Sequence, residues 1–250
     1  MVFGINIEMI LAIIIPPMLY AWIIYLSSPY KSLKLKDSFS FLVAGVFSIT
    51  ILYFLNAMFP EWDPRVMIEP FKQQFYTVAP KEEFSKFIMF LIVMSGVKRD
   101  NHKLHPISYM FYFGMVGLGF ALVENIGYVQ AYGMKVLGVR TFSSTIVHMI
   151  CGLFFGYWIG MGNIIRSRFQ YRSVLGAFLQ SRIAFKSIIY TFLGFLTAVF
   201  YHGLWNYNLS TSGFAKDSIA LLLLFLGLLM SKLLFQDLIT QYRKSQIRKK

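Results

Sequence analysis

Seven long apolar stretches, separated by short polar links, run through this 250-residue chain. They cover 3–27, 39–59, 75–97, 107–132, 143–165, 185–208 and 217–240. An α-helix needs about 20 mostly apolar residues to cross the hydrocarbon core of a bilayer, and each stretch supplies that length. Charged residues are only 14% of the chain, whereas soluble domains carry about 25%. A water-soluble domain of this size has no core large enough to hide so much apolar surface. The pattern excludes a soluble enzyme, a disordered chain and a disulfide scaffold. The expected fold is all-α: one polytopic membrane bundle of about seven helices over 1–250. The first stretch lacks a preceding basic segment and a small-residue cleavage site, so it reads as a retained helix. Pro16 and Pro17 are expected to kink it. Cys151, the single cysteine, lies in an apolar stretch, which raises a thiol pKa and makes a poor nucleophile.

The basic residues set a direction. Links one, three and five and the C-terminal tail hold sixteen Lys and Arg, against five in links two, four and six. Cytoplasmic loops carry the excess of Lys and Arg, so the N-terminus is expected outside and the C-terminus in the cytoplasm. The formal net charge of +13 therefore reports topology and not a nucleic-acid partner. The link from Arg166 to Arg182 carries Phe169, Tyr171, Phe178 and Leu179, and reads as a segment lying on the membrane surface.

Four stretches also carry ionisable or polar groups. A charge inside a bilayer costs about 3 kcal/mol or more, so it has a partner or a task. Glu82, Glu83 and Lys86 lie in the third stretch, Glu124 and Asn125 in the fourth, His148 in the fifth, and His202 and Asn206 in the sixth. With alternating direction, Glu82, Glu83, Glu124, His148 and His202 fall roughly 8–12 Å below the outer surface at 1.5 Å per residue. Agreement in depth among four helices predicts one polar cavity opening outward. Glu82 and Lys86, at i and i+4, are expected to pair, leaving Glu83 less engaged. Lys81 is expected to snorkel outward. Arg140 reads either as an interface anchor or as a lid on the cavity. Gly152, Gly156 and Gly160 form a small-residue stripe that admits a close neighbouring helix, with Gly114 and Gly117 doing similar work. Lys232, Asp237 and Glu8 read as structural or interfacial.

The same residues resemble the PrsW-type intramembrane proteases, relatives of the CAAX-prenyl endopeptidase and bacteriocin-processing superfamily. Ala79-Pro80-x-Glu82-Glu83-x-x-Lys86 is similar to the double-glutamate motif, and Phe120-x-x-x-Glu124-Asn125-Ile126-x-Tyr128 to the second motif. Arg140 followed by His148, Gly152 and Gly156 resembles the third, and His202-x-x-x-Asn206 the fourth. The resemblance covers about 75–210, the expected catalytic core. The CAAX-cleaving branch carries His where this chain has Glu124, which favours the PrsW branch. It implies an endopeptidase acting on single-span membrane proteins near the outer leaflet, with first-site cleavage of an anti-sigma factor as the characteristic role. It also implies a bacterial or archaeal plasma membrane.

Peptide hydrolysis requires an activated water, an oxyanion partner and an acid for the leaving amine. Glu82 or Glu83 is the expected base. His202 and Asn206 are expected to hold the carbonyl oxygen, and His148 and Glu124 to position water or protonate the amine. Lys86, Asn125 and Arg140 are supporting residues. A metal-free glutamate mechanism is the first reading. Zinc held by Glu83, Glu124, His148 and His202 is the second, since this is a zinc-type N/O set, although no H-E-x-x-H is present. A proton- or cation-coupled transporter and a non-catalytic scaffold are the readings from other classes.

Overall fold

The computed structural model describes residues 7–28, 33–60, 69–100, 104–167, 174–210 and 216–247. Among the described residues the chain is helical throughout, with no β-strand. The order is α1 (Ile7–Ser27), α2 (Leu35–Met58), α3 (Pro70–Lys72), a π-helical stretch (Gln73–Val78) and α4 (Ala79–Asp100). There follow α5 (Pro106–Tyr132), a 3₁₀ turn (Met134–Val136), α6 (Leu137–Phe142), α7 (Ser144–Ser167), α8 (Val174–Ser210) and α9 (Lys216–Ile247). Six stretches among the described residues are long and apolar enough to cross a membrane. The expected third span, α4, has 22 residues but carries Lys81, Glu82, Glu83 and Lys86 near one end and Lys98, Arg99 and Asp100 at the other. Its charges, not its length, set it apart.

The bundle is built around α5 and α7. Both are buried along most of their length, whereas α1, α8 and α9 turn most of their apolar side chains outward. Bilayer lipid is as apolar as leucine, so close packing and polar contacts must hold such helices together. Glycine supplies the closeness. A Cβ on Gly117 of α5 would collide with the carbonyl of His148, and one on Gly152 of α7 with that of Phe113. Gly156 and Gly160 continue the seam against Tyr109 and Pro106, so the expected stripe does face a neighbouring backbone. On the other side of α5, Gly119 and Gly45 press it against α2. Gly114 faces the Leu153 and Ile24 side chains, and its Cα lies where a Cβ on Gly152 would clash.

Aromatic rings tie four helices together on the inward side of the polar residues. Phe41, Phe90, Phe113, Phe155 and Phe87 form a chain with centroids 4.5 to 5.3 Å apart. Offset ring pairs of this kind contribute about 0.5–1.5 kcal/mol each beyond their burial.

Local signals set the ends of α5. His105 caps its N-terminus, accepting from the Ile107 amide at 3.3 Å, and Pro106 stands at the first position. Gly133 ends it at φ +78°, a conformation that favours glycine, and the chain turns back into α6.

Pro16 and Pro17 both lie inside α1. Two expectations change. Residues 168–173 of the expected surface segment lie outside the described residues, and from Val174 onward the backbone already belongs to α8. At 37 residues, α8 spans about 55 Å at 1.5 Å per residue, well beyond a membrane core. Lys81 does not simply reach outward: it donates to the Asn56 side chain at 3.1 Å and to the Phe59 carbonyl at 2.7 Å, closing the end of α2. Asp237 accepts from Tyr157 at 2.7 Å and links α9 to α7, while Lys232 is exposed. The Glu8 side chain lies outside the described residues.

Candidate active site

The polar residues of four helices meet. α4 brings Glu82, Glu83 and Lys86, α5 brings Glu124 and Asn125, α7 brings His148, and α8 brings His202. The π-helical stretch before α4 helps set this geometry. Its Phe75 ring lies against Gly203, next to His202, where a side chain would clash. π-Turns of this kind recur at functional sites.

Lys86 is the hub. Its Nζ lies 2.7 Å from Glu83 Oε1, 2.9 Å from His148 Nδ1 and 4.1 Å from the centre of the Phe120 ring. Glu82 is 3.9 Å away, so Lys86 engages Glu83 most closely, the reverse of the expected pairing. The reason is that the buried carboxylate takes the short contact, while Glu82 stands toward the opening. Glu83 is 0% exposed and Glu82 8%.

Hydrogen-bond chemistry then assigns the rings. An ammonium only donates, so His148 Nδ1 accepts from Lys86 and its Nε2–H donates to Glu124 Oε2 at 2.8 Å. An ionised carboxylate only accepts, so His202 donates Nδ1–H to Glu83 Oε1 at 2.8 Å. Its Nε2 lone pair is left facing Glu82 Oε2 across 3.6 Å. That oxygen is buried and has no hydrogen-bond partner, as has Glu83 Oε2. Two acceptors facing each other require a proton, a water or a cation between them.

Arg140 fixes the outer side. It donates to Glu124 Oε2 at 2.6 Å, to Asn125 Oδ1 at 2.9 Å and to Ser144 Oγ at 3.1 Å, and lies 3.5 Å over the Tyr128 ring. Asn125 in turn donates to Thr145 at 3.0 Å. Arg140 is thus neither an interface anchor nor a free lid: it is a strut joining α5, α6 and α7. Exposure rises from 0% for the Glu83 side chain to 19% for Glu124, so the cluster has a closed floor and a mouth beside Glu124 and Arg140. Asn206 is half-buried one turn beyond His202, and no hydrogen bond joins it to the cluster among the described residues.

The sequence reading omitted Ser144, Thr145 and Phe120 from the site, and dismissed Cys151. One turn after His148 on α7, Cys151 forms a buried group with Glu83 and His202 whose ligand-type atoms lie within 4.8 Å of one another. The spacing of three from His148 was the available signal. A second buried group of the same compactness is Glu82, His148 and His202. It places Glu82 with the two histidines, whereas the expected zinc set had Glu83 and Glu124. Glu83 instead supports His202 from its far nitrogen, and Glu124 is held by Arg140 and His148.

The profile of the PrsW family, described as an intramembrane metalloprotease family, matches residues 37–231. The chain belongs to the PrsW family. It is therefore a multi-pass membrane hydrolase of the intramembrane protease class. Relatives named Protease PrsW come from three bacteria. That of Shouchella clausii (strain KSM-K16) is 27% identical over 174 residues, covering 68% of this chain and 77% of the relative. That of Oceanobacillus iheyensis is 25% identical over 152 residues, 60% of each chain. That of Geobacillus kaustophilus (strain HTA426) is 23% identical over 186 residues, covering 74% and 72%. No solved structure matches. Family membership favours the protease over the transporter and scaffold readings.

The PrsW cluster also fits a metal by its donor chemistry. Glu82, His148 and His202 make an N/N/O set of the zinc-hydrolase kind, and Glu82 Oε2 and His202 Nε2 are two acceptors of that set that face each other unbridged. Glu83 on His202 Nδ1–H is the outer carboxylate that such ligands commonly have. His148 would join only by giving up its bond to Lys86 or Glu124.

Proposed function

We propose that this PrsW protein cuts single-span membrane proteins a short way below the outer leaflet, with the cluster within 75–210 as its catalytic centre. The observation that carries this reading is the acceptor pair, Glu82 Oε2 and His202 Nε2, which face each other 3.6 Å apart in the cluster. A water donating to Glu82 is positioned to attack a peptide carbonyl. Glu82 takes the water's proton as the C–O bond forms and returns it to the leaving amine as the C–N bond breaks. Glu82, and not Glu83, is the base, because Glu83 already accepts from both Lys86 and His202. Asn206, one turn beyond His202 on α8, is the proposed donor to the oxyanion. Glu124, held by Arg140 and His148, keeps the mouth of the site in place.

The metal version rests on the same residues and on the family description. A zinc ion held by Glu82, His148 and His202 would supply Lewis-acid polarisation and a more acidic water. In that version Glu83 orients His202, and Lys86 releases His148.

The expected substrate is a single-span protein such as an anti-sigma factor, cut first on its outer side in a bacterial plasma membrane. The test uses purified protein in nanodiscs and a single-span reporter. Glu82→Gln is expected to lower cleavage by about 10²–10⁴-fold, the usual worth of a positioned acid–base group, while leaving the fold intact. Retained cleavage by that variant contradicts the assignment. Loss of cleavage and of bound zinc on chelation, both restored by zinc, selects the metal version.

A further inference from the structure

A second site lies at the opposite end of the bundle. Between α1, α2 and α5 an open groove with a cavity of about 120 Å³ is lined by Met18, Ala21, Trp22, Ser38, Leu42 and Met115. Its walls are largely apolar; among them Ser38 is 4% exposed, and its hydroxyl has no hydrogen-bond partner among the described residues. The groove runs to the first turn of α2. There the helix N-terminus has no side-chain cap among the described residues, and Lys34 and Lys36 flank it, both exposed. Asp37, in the same turn, is turned away toward α5, where it accepts from the Tyr112 hydroxyl at 3.4 Å.

These features suit one kind of molecule. An uncapped N-terminus offers backbone N–H groups and the positive end of the helix dipole to an anion. Two lysines add charge where an anionic headgroup would sit. The buried Ser38 hydroxyl, without a partner, offers a hydrogen bond to a glycerol ester below that headgroup. Trp22 and Leu35, both exposed, make the rim a lipid-facing surface. We infer that this groove binds an anionic phospholipid, its phosphate at the start of α2 and one acyl chain between α1 and α2. The side is that of the Lys-rich first link, which the charge bias assigns to the cytoplasm. The site is separate from the polar cluster and does not depend on the protease mechanism.

Native mass spectrometry of the full chain, released from mixed phosphatidylglycerol–phosphatidylcholine nanodiscs, tests this. Each lysine near a lipid surface favours an anionic headgroup by about fivefold. The expected result is retention of phosphatidylglycerol over phosphatidylcholine by roughly tenfold or more, with the preference removed in Lys34→Gln/Lys36→Gln. Ala21→Phe, which fills the groove, is expected to reduce retention of both lipids. The lysine pair is exposed, so its replacement tests the site even if the filled variant fails to fold. Equal retention of the two lipids, or a preference unchanged in the lysine variant, overturns the inference. Reporter cleavage measured alongside separates it from the active site: the lysine variant is expected to cut the reporter.

Discussion

Two halves of the polar cluster are built in opposite ways. From Glu83 through Lys86, His148 and Glu124 to Arg140, contacts of 2.6 to 2.9 Å join each group to the next. On the other side, Glu82 Oε2 and His202 Nε2 face each other without a hydrogen bond. The first half resembles a structural network, in which a missing member leaves a buried charge exposed to low dielectric. The second half is under-bonded, and an under-bonded pair in a membrane interior is where water or a cation has most to gain. The difference suggests a division of labour: one half holds the helices in register, and the other does chemistry.

Breaking the bonded half is expected to have the largest effect on stability. Lys86→Met leaves Glu83 as an unpaired charge, and should cost about 3–5 kcal/mol in denaturant or thermal unfolding within detergent. Lys86→Met/Glu83→Leu removes both charges and should recover most of that stability without recovering cleavage. If the single variant is as stable as the parent, the bonded half is not structural. Next comes the seam that brings His148 to α5. Gly152→Leu forces α7 off the Phe113 backbone and should cost about 1–3 kcal/mol or more, with cleavage falling in parallel. Unchanged stability there would show that the two helices need not touch. The smallest effect is expected at the mouth. Arg140→Lys keeps the charge but loses the fork that serves Glu124, Asn125 and Ser144 together. A fall in cleavage of about tenfold, with little change in stability, would place Arg140 as a positioning residue.

Much of this was legible in the sequence because bilayers enforce simple rules. Span length and the cost of buried charge located α1, α2 and α5, and the depth of Glu82, Glu83, Glu124, His148 and His202 anticipated their meeting. The glycine stripe announced the α5–α7 seam. What could not be read was which partner each group takes. Lys86 is three residues from Glu83 and four from Glu82, and both spacings allow contact on a helix. The choice came from how far each carboxylate is buried by neighbouring helices. Arg140 was ambiguous because its role depends on the turn at Gly133, which folds α6 back toward Glu124. The length of α8 also escaped notice, because Gln180, Ser181, Arg182 and Lys186 interrupt its apolar run and separate its first turns from the span.

The most direct test of this division compares Glu82→Gln and Glu83→Gln side by side in the same nanodiscs, measuring reporter cleavage and unfolding together. The account predicts that Glu82→Gln loses cleavage and keeps its stability, whereas Glu83→Gln loses both. A Glu82→Gln protein that still cuts, or that unfolds as readily as Glu83→Gln, would contradict it.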